Sequence, residues 1–402
     1  MALILPLEIT RPVRNKACIF PSEDACELSS SDINSIIRRN PYSFNNIFFK
    51  PYIKRLSGIK KYNAIRRQYL KFKKNGIIAI DENPSFYIYN ITNNEGKQFV
   101  GILGKIHHED YEQDNVVKIE KSNAVRVREK HDIISNTGFT SKPITVLYEQ
   151  VDEIDEIITK YKSRIPLFGF TKNNGFVHEV WQVLDSEDLD FLSSIFSRQD
   201  KFYIIDDDDK FDALHQIYKE KIDKNRRIHT GQEAYNYFPA FLISNQEAKI
   251  YEYKKGVPID YSKSMKEVLE LLRDDFYIEE IQPDIPPQRG EILLYGIESK
   301  YKLKLKKKKN LPDSIVFERF ILEKLDIENE IIENNSLKYC SGNRSLKCVE
   351  NHLHKKNCKF GFIIHPIDFE IIKQNAEDAL KIPNKSMYVE PRLLKGLFIY
   401  EI

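Results

Sequence analysis

Phe202-Tyr203-Ile204-Ile205-Asp206-Asp207-Asp208-Asp209-Lys210-Phe211 is the stretch from which the architecture is read. Its first four residues are a short apolar run suited to a buried strand, and four aspartates end it abruptly. Phe211, Leu214, Tyr218 and Ile222 then recur at i, i+3, i+7 and i+11, one face of a helix. A strand running into a helix belongs to mixed α/β architecture. It is also an anion-binding place, because the first N–H groups of a helix lack intrahelical partners and its dipole favours negative charge there. Asp206, Asp207, Asp208 and Asp209 fill that field with the chain's own carboxylates. One can cap the helix and another suits its first turn. Together they repel a phosphate unless a cation intervenes. Magnesium, which accepts carboxylate oxygens and bridges to phosphate, is the ion to consider, with Asp206 and Asp208 as ligands. The plainer reading is a capped, solvated helix start.

Outward from this joint, helices and strands alternate. Helices are predicted from Ser31 to before Pro41 and over 59–74, the second closed by Gly76. Strands at 86–89 and 99–106 flank Asn93, Asn94 and Gly96. A helix carrying Ile154, Ile157 and Tyr161, a strand over 177–184 and a helix over 189–196 precede the aspartates. Strands at 237–243 and 249–253 follow, then a helix with Met265, Val268 and Leu272. Residues 283–290 hold three prolines, which resist both helix and central strand, and read as a linker. Beyond it lie strands at 292–295, 301–305, 360–364 and 396–400, and helices over 312–325, 346–353 and 368–380. The expectation is a mixed α/β (α+β) protein with mixed sheets and flanking helices. A main lobe over 1–282 carries the aspartates, and a smaller C-terminal α/β lobe spans 290–402.

Composition narrows the function classes. Hydrophobic residues make up 41% of 402, enough to fill an interior and to argue against disorder. The 62 basic and 60 acidic residues leave +2, which removes a global case for nucleic acid or an anionic membrane surface while leaving local patches open. No run approaches the roughly 18 apolar residues of a membrane span. Met1 to Leu7 has no basic n-region, so no signal peptide is read. Five cysteines without an export signal read as reduced thiols of a cytoplasmic protein.

Three other clusters favour plain readings. Cys340, Cys348, His352, His354 and Cys358 lack the paired short spacing of a zinc site and read as core cysteines and surface histidines. The lysines from Lys302 to Lys309 begin by alternating with Tyr301, Leu303 and Leu305, as on a half-buried strand, and continue as a loop. His107, His108, Glu109 and Asp110 are adjacent, so strand geometry points them to opposite faces, and they read as surface. No G-x-x-x-x-G-K-[ST], G-x-G-x-x-G or G-x-S-x-G pattern occurs.

Several segments in order resemble the bacterial and archaeal family called domain of unknown function 1015. Asn40-Pro41-Tyr42-Ser43-Phe44 is similar to its N-P-x-S-F motif, and Gly76 to Tyr89 to its G-x-L-x-x-D-x-x-P-x-x-Y-x-Y stretch. His178 and Trp181 match an H-x-x-W pair. Ile382-Pro383-Asn384-Lys385-Ser386-Met387 and Glu390-Pro391-Arg392-Leu393 with Gly396-Leu397 look like its M-P-P-K-S-T … F-x-P-K-L-x-x-G-L ending. The family's Y-I-A-D-G-H-H-R is here Tyr203 to Lys210, in which only Asp206 survives of the D-G-H-H-R core. Its K-x-H-E-x-T is read over Lys118 to Ser122 with Ile119 replacing the histidine; Lys118 and Glu120 remain, and Ser122 stands in for the threonine.

That core motif is similar to the nucleotide-phosphate motif of the ParB and sulfiredoxin superfamily, which includes free-serine kinases and CTP hydrolases. By that analogy the resemblance implies a ParB/sulfiredoxin-like core and, in typical members, nucleotide-dependent phosphoryl transfer to a small metabolite. Without the glycine, both imidazoles and the arginine, that transfer loses its usual charge stabilisation here. The first expectation is therefore a divergent non-catalytic relative binding a small metabolite or protein partner, with neither nucleic acid nor membrane. The alternative is a magnesium-dependent phosphotransferase using ATP, ADP or CTP. In it Asp206 and Asp208 hold the ion, Glu120 and Asp206 are catalytic, and Lys118, Ser122, Lys385 and Ser386 contact phosphate or substrate. A purely structural interaction protein is the third reading.

Overall fold

The joint forms as read. In a computed structural model of the chain, Phe202–Asp206 is a strand and Asp208–Asn225 a helix. The structure describes residues 2–24, 28–225, 229–282, 285–307, 311–327, 338–340, 346–355 and 357–402. These divide into two units, one of Met1–Lys118, Ser122–Lys249 and Glu390–Ile402, the other of Ile119–Lys121 and Ile250–Val389. The division differs from the lobes expected at 1–282 and 290–402. Residues 285–290 lie inside the second unit, and residues 390–402 return to the first.

The first unit is built on a nine-stranded mixed sheet. Its order runs Val116–Lys118, Phe202–Asp206, Ile144–Tyr148, Tyr237–Ser244, Gln98–His107, Phe86–Thr92, Val177–Val183 and Phe168–Thr171, with Ile4–Leu5 pairing to Gln98–His107. Phe202–Asp206 runs parallel to Val116–Lys118, and Tyr237–Ser244 parallel to Ile144–Tyr148; the other pairings are antiparallel. Nearly every residue of Phe86–Thr92 and Ile144–Tyr148 is buried, because both faces of the sheet are covered. One face packs Ile88, Ile102, Val146 and Ile204 against Phe211 and Leu214 of the aspartate helix. A second core gathers Phe20, Phe44, Ile65, Tyr69, Phe72, Phe139 and Ile399 around helix Gly58–Lys74. The predicted strand at 396–400 is shorter than expected and displaced, as Tyr400–Glu401 pairing with Phe139–Thr140.

In the second unit an antiparallel sheet runs Phe276–Ile281, Lys300–Leu305, Glu291–Tyr295, Phe360–Ile364, Lys254–Val257 and Lys338–Cys340. The helix expected over 312–325 is α-helical only over Asp313–Phe317 and widens to π turns over Glu318–Leu322. Lys302 and Lys304 fall on a strand as read, while Lys308 and Lys309 lie outside the described residues. Cys358 is buried and Cys348 half-buried; Cys26 and the Cys340 side chain lie outside the described residues.

The reading of residues 107–110 as surface is corrected. A short helix, not a strand, begins at His108, and it turns His108 and Asp110 inward. His108 packs among the rings of Phe211, Tyr218 and Phe238. Among the described residues no helix is long and apolar enough to cross a membrane.

Candidate functional site

The site grows from the end of strand Phe202–Asp206, where the pairing with Ile144–Tyr148 shifts register between Ile204 and Asp206. Asp207 then bends the chain at φ 69°, in the left-handed region that aspartate tolerates better than most side chains. The bend thus carries a carboxylate of its own. The Asp207 carbonyl accepts the N–H groups of Lys210 and Phe211, which starts the helix. Asp208 and Asp209 occupy the first turn, where the dipole stabilises negative charge. Asp209 also reaches away, accepting the Asn123 N–H at 2.7 Å just where Asn123 caps helix Ala124–Thr137.

The first two aspartates do not stand open to solvent. Lys142 donates to Asp206 at 3.1 Å and lies 2.7 Å from Asp207. Arg392 donates to the other oxygen of Asp206 at 3.1 Å. Lys210 donates to Asp207 at 2.8 Å and Lys130 at 3.5 Å. Asp24, paired with Lys395 at 2.8 Å, adds its negative charge to the field around Lys142. Burial opposes every one of these charges, so the directions of the pKa shifts show which contacts dominate. Burial raises Asp207, yet Lys142, Lys210 and Lys130 hold it well below the ordinary carboxylate value. Asp206 is lowered likewise, against burial, by Arg392 and Lys142. Lys142, also opposed by burial, is held above its usual value by Asp206 and Asp207. Lys210 is the weakest cation of the group: burial brings it down to about 7, because it shares Asp207 with two other lysines.

The remaining predicted residues fall into two separate groups. In the first unit Lys118 donates to Ser122 at 2.9 Å and pairs with Asp212, one helical turn beyond Asp208. Glu120, Lys385 and Ser386 lie in the second unit. There the Glu120 carboxylate accepts the backbone N–H groups of Lys385, Ser386 and Met387 at 2.9, 2.9 and 2.6 Å. The Ser386 hydroxyl donates to the Pro383 carbonyl at 2.7 Å. Lys385 itself sits at φ 57°, so Glu120 holds a strained turn by its backbone.

Magnesium does not fit the proposed pair. Each oxygen of Asp206 already faces a cation, and a dication placed there meets Lys142 and Arg392. Among the described residues no group of three or more His, Cys, Asp or Glu side chains converges as a metal site does. An anion fits better, since three lysines point at one spot beside a helix start; Asp207 is the anion that occupies it.

Sequence reasoning did not single out Lys142 or Lys395, and Lys130 entered only with Arg126 and Glu129 as a loose echo of a K-E-x-x-R-type segment. Arg392 had a signal, because it stands where the family ending carries lysine in F-x-P-K-L. The matched His178 is structural: its Nδ1 lies 2.8 Å from the Tyr89 hydroxyl and its ring stacks on Phe170, burial lowering its pKa to about 3.

The family model described as "Protein of unknown function (DUF1015)" matches residues 4–328. Curated proteins give no match. Among solved structures the chain is similar to SbnI with C-terminal truncation from Staphylococcus aureus, at 10% identity and a TM-score of 0.40 over 73% of this chain and 85% of that one. It is similar also to a free serine kinase in complex with AMP, at 11% identity and a TM-score of 0.42 over 74% and 90%. A conserved hypothetical protein from Pyrococcus furiosus aligns at 10% identity and a TM-score of 0.40 over 74% and 94%.

Proposed function

This chain belongs to the family described as protein of unknown function DUF1015, and from that premise we propose that it is a divergent, non-catalytic member that binds a metabolite or a protein partner in the cytoplasm. The observation that carries this reading is Asp207. Its carboxylate lies among Lys142, Lys210 and Lys130 at the start of a helix, a place that otherwise suits a phosphate. The protein thus supplies its own anion, and a nucleotide phosphate meets a filled and neutralised cradle. The exposed thiol of Cys18 suits a reducing compartment.

The phosphotransferase alternative loses its base, because Glu120 is committed to three backbone N–H groups. It loses its ion as well, because Asp206 is committed to Lys142 and Arg392. The test is calorimetry with ATP, ADP and CTP, with and without magnesium, on the native chain and on Asp207→Gly. We expect no nucleotide binding by the native chain and phosphate-dependent binding by the glycine variant. Magnesium-dependent binding to the native chain, with turnover to a phosphorylated metabolite, would sink the proposal.

A further inference from the structure

Away from this site, the even charge balance conceals a strong segregation. Between Asp32 and Asp81 the chain carries twelve Lys and Arg residues and not one Asp or Glu. The rest of the sequence then holds 50 basic against 60 acidic residues. The twelve share one block of structure. Helices Ser30–Arg39, Pro51–Lys54 and Gly58–Lys74 carry all but Lys50 and Arg55, which flank Pro51–Lys54. Helix Gly58–Lys74 spends its apolar face on Ala64, Ile65, Tyr69 and Phe72, within the second core. Its outer face exposes Lys60, Arg66, Arg67, Lys71 and Lys74, a row about 21 Å long at 1.5 Å per residue. Arg38, Arg39, Lys54 and Arg55 are exposed on the neighbouring segments, and Lys54 ties to Asn34 at 2.9 Å. Of the twelve, Lys73 alone forms an ion pair among the described residues, with Glu401 at 2.7 Å. Like charges crowd here: burial and the nearby Lys71 both lower the pKa of Lys50.

We propose that this face binds the phosphate backbone of a nucleic acid without reading its sequence. Charge is the first argument, since an unpaired basic row repels itself and a polyanion relieves that repulsion while releasing counterions. The residue types are the second. Five of the nine exposed cations are arginine, whose planar fork matches phosphate oxygens. Exposed Tyr52 in the same block offers a stacking face for a base. A bilayer suits the face less well, because the helix's apolar side is already buried and only Ile59 and Leu70 remain outside.

Fluorescence anisotropy with labelled single-stranded RNA, single-stranded DNA and duplex DNA tests the proposal across about 50 to 200 mM salt. We expect sequence-independent binding whose log–log salt slope is about −2 or steeper for three or more single-strand phosphate contacts. Arg66→Glu combined with Arg67→Glu and Lys71→Glu should weaken it at least about tenfold and flatten the slope. Lys221→Glu, exposed on the aspartate helix, should leave it unchanged. Trp181 fluorescence confirms that the first unit stays folded in each variant. Absent binding at the lowest salt, or binding indifferent to the triple substitution, overturns the inference. So does binding to anionic phospholipid vesicles or to polyglutamate in preference to the oligonucleotides.

Discussion

Replacing Asp207 by Asn removes one charge from the buried cluster while keeping a residue that accepts the left-handed bend at φ 69°. The cost depends on which cation is left without a counter-charge. Lys142 keeps Asp206 at 3.1 Å. Lys130 is 34% exposed, so water screens it. The stranded charge is therefore Lys210, whose side chain is 9% exposed. Breaking a buried pair from one side costs about 3–5 kcal/mol when the remaining charge stays buried, and the sharing among three lysines puts this case near about 3 kcal/mol. Lys210 has an escape, however, because burial already lowers its pKa to about 7. Near pH 9 it is neutral before the substitution is made, and the loss shrinks to about 1 kcal/mol, the worth of an ordinary hydrogen bond. Urea unfolding followed by Trp181, which is the chain's single tryptophan and lies in the first unit, measures this at about pH 6 and pH 9. The loss should be larger at the acid end, and added inorganic phosphate should restore part of it by mass action. An equal loss at both pH values, or a greater one in alkali, would refute the assignment of Lys210 as the dependent cation.

Two further outcomes follow from the same contacts. Glu120→Gln should destabilise the second unit by about 2–4 kcal/mol, since charge-assisted hydrogen bonds contribute about 1.5–3 kcal/mol each and the amide keeps only one accepting oxygen; circular dichroism during urea unfolding reads the shift. Native Lys210 titrates at about 7 against an ordinary 10.5, so the unfolded chain binds more protons between those values and first-unit stability rises with pH, by up to about 1.4 kcal/mol per unit; Lys210→Met should flatten that rise in the Trp181 signal.

The strand and helix around the aspartates were legible because periodicity is local: Phe211, Leu214 and Ile204 all reach the core that their spacing demands. What neutralises the aspartates was not legible. Lys142 lies 64 residues and Arg392 186 residues from Asp206, and no spacing rule links positions that only the fold brings together. Glu120 shows a different limit. A carboxylate in a motif has the same letter whether it moves protons or anchors a turn, and only the three converging N–H groups decide. His108 was misread because alternation assumes a strand, whereas the chain had already turned into a helix. Net charge is an average, and +2 overall hides a block without a single carboxylate between Asp32 and Asp81.

The return of residues 390–402 to the first unit has a consequence for how the protein is made. Synthesis runs from the N-terminus, so residues 250–389 must be translated before Arg392 exists. At ribosomal speeds of about 5–20 residues per second that interval lasts on the order of 10–30 s. Throughout it Asp206 lacks one of its two cations, and Phe139–Thr140 has no Tyr400–Glu401 to pair with. The nascent first unit therefore carries an open strand edge and an under-neutralised carboxylate until the second unit has been translated. This is the window in which a chaperone, or a wrong strand, reaches it first.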